Sequence, residues 1–199
     1  MRRLNEWISA IGKKNNYSFF AACFRIFICL FLIKNILLTW HYKELLYKAS
    51  SFLPPSSSNI FELLSIDGTI IRDHFELFAL VYLIVIVLYL MGFGKHFTAV
   101  LVYLFYELMQ NLCPTILNGG DNILKFLILY MVFIDSYNYF ALTKYKPTNL
   151  LTRHLSVFVS NVAGFSICLH ICFVYFISAW HKIHADVWYN RVATYYMLS

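Results

Sequence analysis

The sequence predicts an all-α, polytopic bundle of membrane-spanning helices, and three observations predict it. Sixty per cent of the 199 residues are apolar and only 13% are charged, whereas soluble domains run near half apolar and a quarter charged. Mean hydropathy is +0.64. Five separate runs approach the roughly 20 mostly apolar residues that a bilayer demands of a helix. The same composition excludes disorder, and seven Gly with four Pro exclude collagen-like or linker-like chains. The net charge of +6 comes from Lys and Arg scattered over the chain ends, loops and apolar runs. They form no single basic face, so no nucleic-acid partner is expected.

The first span covers 17–40 and follows a basic stretch with Arg2, Arg3, Lys13 and Lys14. It is too long for the apolar part of a signal peptide, carries Arg25 and Lys34, and lacks a small-residue cleavage site. The second span is 75–93. The third, 97–113, stops at Pro114, which disfavours helix at the residue before it. The fourth is 121–141 and the fifth 155–180. Beyond them, 187–199 contains Trp188, Tyr189, Tyr195, Tyr196 and Met197. It reads as the start of a sixth span, and the chain as a single transmembrane domain belonging to a longer one. Between the first two spans, Pro54 and Pro55 amid serines mark an irregular linker, after which Asn59 is placed to cap a short surface helix.

Lys and Arg in short loops set orientation. The N-terminal stretch, the turn with Lys95, and the loop with Lys144, Lys146 and Arg153 are basic. The turn after the third span has no basic residue. A cell-membrane protein with its N-terminus in the cytoplasm is expected, its outer surface in lipid.

Ionisable groups inside spans are costly and usually face the bundle interior. Tyr103, Tyr106, Glu107, Gln110 and Asn111 follow at steps of three, one, three and one, a single helical stripe. Asp121 and Asn122 open the fourth span, with Lys125 one turn after Asp121. Matching depths pairs Arg25 with Asp135 in the inner half, and Lys34 with Glu107 in the outer half. The outer cluster holds more polar groups than one ion pair needs, so it reads as a polar pocket. A second face, Asn161, Gly164, Cys168, Cys172, Tyr175, Ala179 and Lys182, steps by three or four along the fifth span. Gly164 and Ala179 on it permit close helix approach.

Five cysteines, most of them inside spans, do not form a disulfide framework. Cys168, His170 and Cys172 are not a metal site, because His170 points about 160–200° away from both cysteines on a helix. Haem is not expected either, since His170 has no partner at its depth. Phosphate loops, nucleophile elbows and zinc-protease helices are absent.

Two segments resemble a known family. One joins the turn Gly92, Gly94, Lys95, His96 to Gln110, Asn111 and the run Asn118, Gly119, Gly120, Asp121, Asn122. The other runs from Tyr175 through Ser178, Ala179, Trp180 and Lys182 to Trp188. Together they resemble the HTTM family, the membrane domain shared with vitamin K-dependent γ-glutamyl carboxylase. The resemblance covers about 75–199. It implies that Lys182 is the catalytic base that deprotonates a quinone-type cofactor near the outer face. Desolvation beside Trp180 and Trp188 would disfavour its charged form. The alternative is a snorkelling lysine between interfacial tryptophans.

Departures from the carboxylases argue against full carboxylation of protein glutamates. No segment corresponds to their large luminal domain. The histidine expected near Asp121 to Ile123 has no counterpart, and Asn190 or Arg191 stands where a Gly is usual. Bacterial relatives of the sporulation-delaying type help to mature a secreted peptide toxin. The resemblance therefore implies a small exported peptide, or a companion maturation protein, as partner. The polar wall would be Lys34, Tyr103, Glu107, Gln110, Asn111, Asp121, Asn122, Lys125 and Tyr175. The alternative is a non-enzymatic scaffold or immunity partner for such a peptide. A transporter is disfavoured by the lack of inverted repeats or broken helices.

Overall fold

The computed structural model describes residues 14–47, 68–113, 119–142 and 150–185, together with Trp188. Among the described residues all regular structure is α-helical. Among the described residues there are seven helices: α1 (Ser18–Trp40), α2 (Lys43–Leu46), α3 (Gly68–Asp73), α4 (Phe75–Leu90), α5 (His96–Leu112), α6 (Gly119–Phe133) and α7 (Leu150–His184). The expected surface helix after Asn59 lies outside the described residues, as does the expected sixth span except for Trp188.

Two stretches, Ser18–Trp40 and Arg153–His184, are long and apolar enough to cross a membrane by length and composition. Helix α4 is also apolar but has 16 residues. At 1.5 Å per residue it covers about 24 Å, short of the ~30 Å hydrocarbon core.

The chain divides into two compact units, Met1–Gly164 and Phe165–Ser199, and α7 runs through the division. In the first unit α1 packs on α4 and α6, and α5 packs on the same two helices. Each of these four helices thus packs on two of the others. On α1 the buried positions are Ser18, Ala21, Ala22, Arg25, Ile28, Cys29, Leu32 and Ile36. Their steps of one, three and four make one face of a 3.6-residue helix. Ala21 and Ala22, both fully buried, keep the helix axes close. The opposing stripe on α4 is Phe75, Ala79, Tyr82, Val85, Ile86 and Tyr89.

The turn from α4 to α5 requires glycine at Gly92. Its φ is +71°, and an added Cβ would lie 2.5 Å from Ala141 Cβ and 2.8 Å from Arg25 Nη1.

The fourth expected span does not continue as helix to 141. Helix α6 ends at Phe133, and Ile134, Asp135, Ser136 and Tyr137 follow as buried, non-helical chain. Local side-chain bonds replace the helical ladder, as Asp and Asn often do. Asp135 accepts from the Tyr137 backbone N–H (3.3 Å) and from Asn138 Nδ2 (2.9 Å), and its own N–H donates to Ser160 Oγ (3.0 Å).

Arg25 does not pair with Asp135 as depth had predicted. Its Nη2 donates to the carbonyls of Phe140 (2.5 Å) and Tyr139 (3.4 Å), and its guanidinium carbon lies 5.4 Å from the Tyr137 ring centre. Unwinding frees backbone carbonyls, and the arginine fork is the group that meets them. Arg25 Nε and Nη1, Tyr89 Oη, Ser136 Oγ and Tyr137 Oη are buried here without a hydrogen-bond partner.

The N-terminal part of α7 is fastened to the residues before α1. Asn161 Nδ2 donates to the Lys14 carbonyl (2.8 Å), and Asn161 Oδ1 accepts from the Asn16 N–H (3.0 Å). Gly164 lets the Tyr17 ring approach; a Cβ there would sit 2.6 Å from Tyr17 Cγ. In the second unit the helix carries exposed Phe173, Tyr175, Phe176, Trp180 and Ile183. Trp180 stacks near Phe176 (6.3 Å) and lies 4.5 Å from the His184 ring.

Candidate functional site

A cavity of about 230 Å³ opens between α1, α4, α5 and α6 in the first unit. Asn35 and Thr39, one turn apart, reach it from α1 on the same face as Leu32 and Ile36. Tyr82 comes from α4, Tyr106 and Gln110 from successive turns of α5, and Cys113 from the residue that follows it. Asp121, the third residue of α6, closes one side, and Tyr47 closes another.

Neighbours fix several of these groups. The Tyr106 hydroxyl donates to the Asp121 carbonyl (3.1 Å), tying α5 to the start of α6. The Thr39 hydroxyl donates back to the carbonyls of Asn35 (2.8 Å) and Ile36 (3.2 Å). The Tyr47 ring stacks on Phe75 (4.5 Å, 5° between planes), and Tyr82 stacks on Phe105 (5.6 Å, 8°). The Tyr82 hydroxyl is buried and has no hydrogen-bond partner. Burial pushes the Tyr47 phenol up to about 12 from its ordinary 10.0.

A second cavity, about 450 Å³, lies along the groove between α1 and α6. Phe24, Phe27, Ile28 and Phe31 line it from α1, and Leu124 and Leu127 from α6. Its polar end is Lys34, Asn35 and Asp121. Asn35 and Asp121 thus border both cavities.

The structure gathers part of the expected polar wall. Gln110 and Asp121 line the first cavity, and Lys34 the second. The outer ion pair differs from the expected one. Glu107 is buried, and its partner is Lys125, whose Nζ lies 2.9 Å from both carboxylate oxygens. Only the bond to Oε2 has hydrogen-bond geometry; Oε1 has no such partner. Lys34 instead lies over the Phe31 ring, its Nζ 5.1 Å from the centre. Lys125 therefore spans α5 and α6 rather than pairing along its own helix with Asp121. Asn111 Nδ2 donates to the Glu107 carbonyl one turn back (2.7 Å). Tyr103 is half-buried and Asn122 exposed. Tyr175 and Lys182 belong to the second unit, where both are exposed. Lys182 Nζ lies 4.9 Å from the Trp188 ring centre, a cation–π contact.

Sequence reasoning passed over Asn35, Thr39, Tyr47 and Tyr82. A signal existed for the first two: polar residues at i and i+4 in an otherwise apolar helix share a face. Tyr82 carried none, because tyrosine is ordinary in an apolar run.

No group of three or more His, Cys, Asp and Glu side chains that could hold a metal occurs among the described residues. The cavity joins one carboxylate to amides, hydroxyls and aromatic faces. Such a combination can bind and orient a small group. No family model, curated protein or solved structure matches the chain.

Proposed function

We propose that the chain is a five-span membrane protein of HTTM type that takes part in modifying or maturing a small exported peptide, with its N-terminus in the cytoplasm. Helices α1, α4, α5, α6 and α7 are the spans of this reading, and the two cavities of the first unit are its candidate ligand sites. The observation that carries it is the meeting of a polar chamber and an apolar groove at Asn35 and Asp121. A peptide group enters the polar chamber. The apolar groove suits the ring and tail of a membrane quinone, the candidate co-substrate. Lys182 is the candidate base, supported by the motif around it and by its place two residues after Trp180.

A second reading, a scaffold or immunity partner without catalysis, draws on a different observation. Glu107 and Lys125 pair with each other, and Asn111 Nδ2 donates to the Glu107 carbonyl, all within the first unit. In that reading the polar stripe of α5 holds helices together.

The experiment that separates them is mass spectrometry of exported peptides from cells with and without the gene, repeated with Lys182→Ala. A covalent change, such as the gain of one carbon dioxide, that disappears in the variant supports the enzyme. A peptide whose mass is unchanged but whose export depends on the gene supports the scaffold. Peptides unaffected by the gene would overturn both.

A further inference from the structure

We propose that the groove between α1 and α6 binds a single-chain fatty-acid carboxylate, its headgroup on Lys34 and its chain along the phenylalanines of α1. The inference rests on the membrane setting of the proposed function, not on its peptide.

The placement of the Lys34 charge is the first argument. Lys34 stands six residues before the end of α1, about 9 Å along the helix axis. Side chains on a helix lean toward its N-terminus. Lys34 follows that lean, with its Nζ 5.1 Å from the ring centre of Phe31, one turn back. The charge is thus turned away from the near end of α1 and toward the groove that Phe31 lines. Among the described residues Lys34 takes part in no ion pair; Glu107 is held by Lys125, and Glu76 by Lys43. A charge within a span is costly and usually paired. The Phe31 face offsets part of that cost, and a charge-assisted bond to an anion offsets more.

The shape of the groove is the second. Phe24, Phe27 and Phe31 step by three and four along α1, and Leu124 and Leu127 border the groove from α6. From Phe24 to Lys34 the wall of α1 rises about 15 Å. With a volume of about 450 Å³, this is a slot for one extended hydrocarbon chain, with a cation at one end. In the proposed orientation Lys34 is at the outer end, so the chain runs inward from its headgroup, as chains of the outer leaflet do. A glycerophospholipid carries two chains on a bulkier head, and the slot below the helix end suits the smaller carboxylate. Asp121 borders the same end from α6, and its like charge keeps the carboxylate on the α1 side. A quinone fits the slot but is neutral and makes no use of the Lys34 charge. The two ligands therefore compete for one groove.

The test uses the full chain in phosphatidylcholine nanodiscs and a fatty acid carrying a diazirine in mid-chain. Irradiation and peptide mass spectrometry locate the label, and competition ranks oleate, oleyl alcohol and dioleoylphosphatidylglycerol. Labels are expected on residues 24–31 of α1 and 124–127 of α6. Oleate should compete at least about tenfold better than oleyl alcohol, since a charge-assisted bond contributes that much. Lys34→Met should abolish the difference and Lys34→Arg should keep it, with circular dichroism and monodisperse elution reporting that each variant is folded. Leu127→Trp should exclude both ligands by filling the slot. Oleyl alcohol competing as well as oleate, a preference that survives Lys34→Met, or labels confined to other helices overturns the proposal. So does phosphatidylglycerol competing as well as oleate, which would assign Lys34 to a phosphate headgroup. Absence of an oleate preference, with gene-dependent changes in exported peptides, refutes this inference alone. An oleate preference without such changes refutes the proposed peptide function alone.

Discussion

Lys125 holds the buried carboxylate of Glu107 from the neighbouring helix, its Nζ 2.9 Å from both oxygens. The two partners are unequal: the Glu107 side chain is 5% exposed and that of Lys125 40%. Removing the lysine strands a charge away from water, whereas removing the acid releases a lysine that can reach solvent. Lys125→Met is therefore expected to cost about 2–4 kcal/mol, and Glu107→Gln roughly 1 kcal/mol. The double variant should recover most of the larger loss. Unfolding of the purified protein by heat or sodium dodecyl sulfate checks the order.

The arginine of α1 that meets the end of the fourth run makes a second prediction. Arg25→Leu leaves the carbonyls of Tyr139 and Phe140 without their donor, at an expected cost of about 2–3 kcal/mol. Arg25→Lys should recover only part of it, because a single ammonium lacks the planar fork. Gly92→Ala should be comparably harmful, since φ is +71° and the new methyl would press on Ala141 and Arg25.

Gly164 makes a third. Gly164→Ala places a methyl 2.6 Å from Tyr17 Cγ, and overpacking of this kind costs about 1–3 kcal/mol. Tyr17→Ala in the same chain should relieve the strain. A thermal melt of the two single variants and the double variant reads the coupling directly.

Tyr47 makes a fourth, in pH. Burial favours the neutral phenol in the fold, raising it from 10.0 to about 12. The stabilisation is complete below pH 10.0 and is lost as pH climbs through about 12. Tyr47→Phe should remove one late ionisation from the ultraviolet titration of the folded protein. Stability at neutral pH should change by less than about 1 kcal/mol.

The helices were legible in the sequence because apolar runs dominate it. Expected 17–40 is observed as Ser18–Trp40, 97–113 as His96–Leu112, and 155–180 lies within Leu150–His184. The fourth run misled because hydropathy does not register backbone unwinding. Ile134 and Tyr137 remain apolar and buried while Asp135 and Asn138 take over the hydrogen bonding. Gln110 and Asp121 were visible as polar groups on apolar helices. Their cavity mates Asn35 and Tyr82 were not, since which helices face each other is a tertiary fact. The partner of Glu107 was misjudged for the same reason: depth alone allowed Lys34 and Lys125 equally.

The unwound stretch after Phe133 has one more consequence. In transporters, carbonyls exposed at a helix break hold ions that come and go, and the break works as a moving part. Here the positive group on the carbonyls of Tyr139 and Phe140 is tethered to α1 by Arg25's own side chain. A tethered cation cannot be exchanged. The chain that leaves α6 is therefore locked to α1 by a fixed internal cation, and it cannot shift there without withdrawing that side chain.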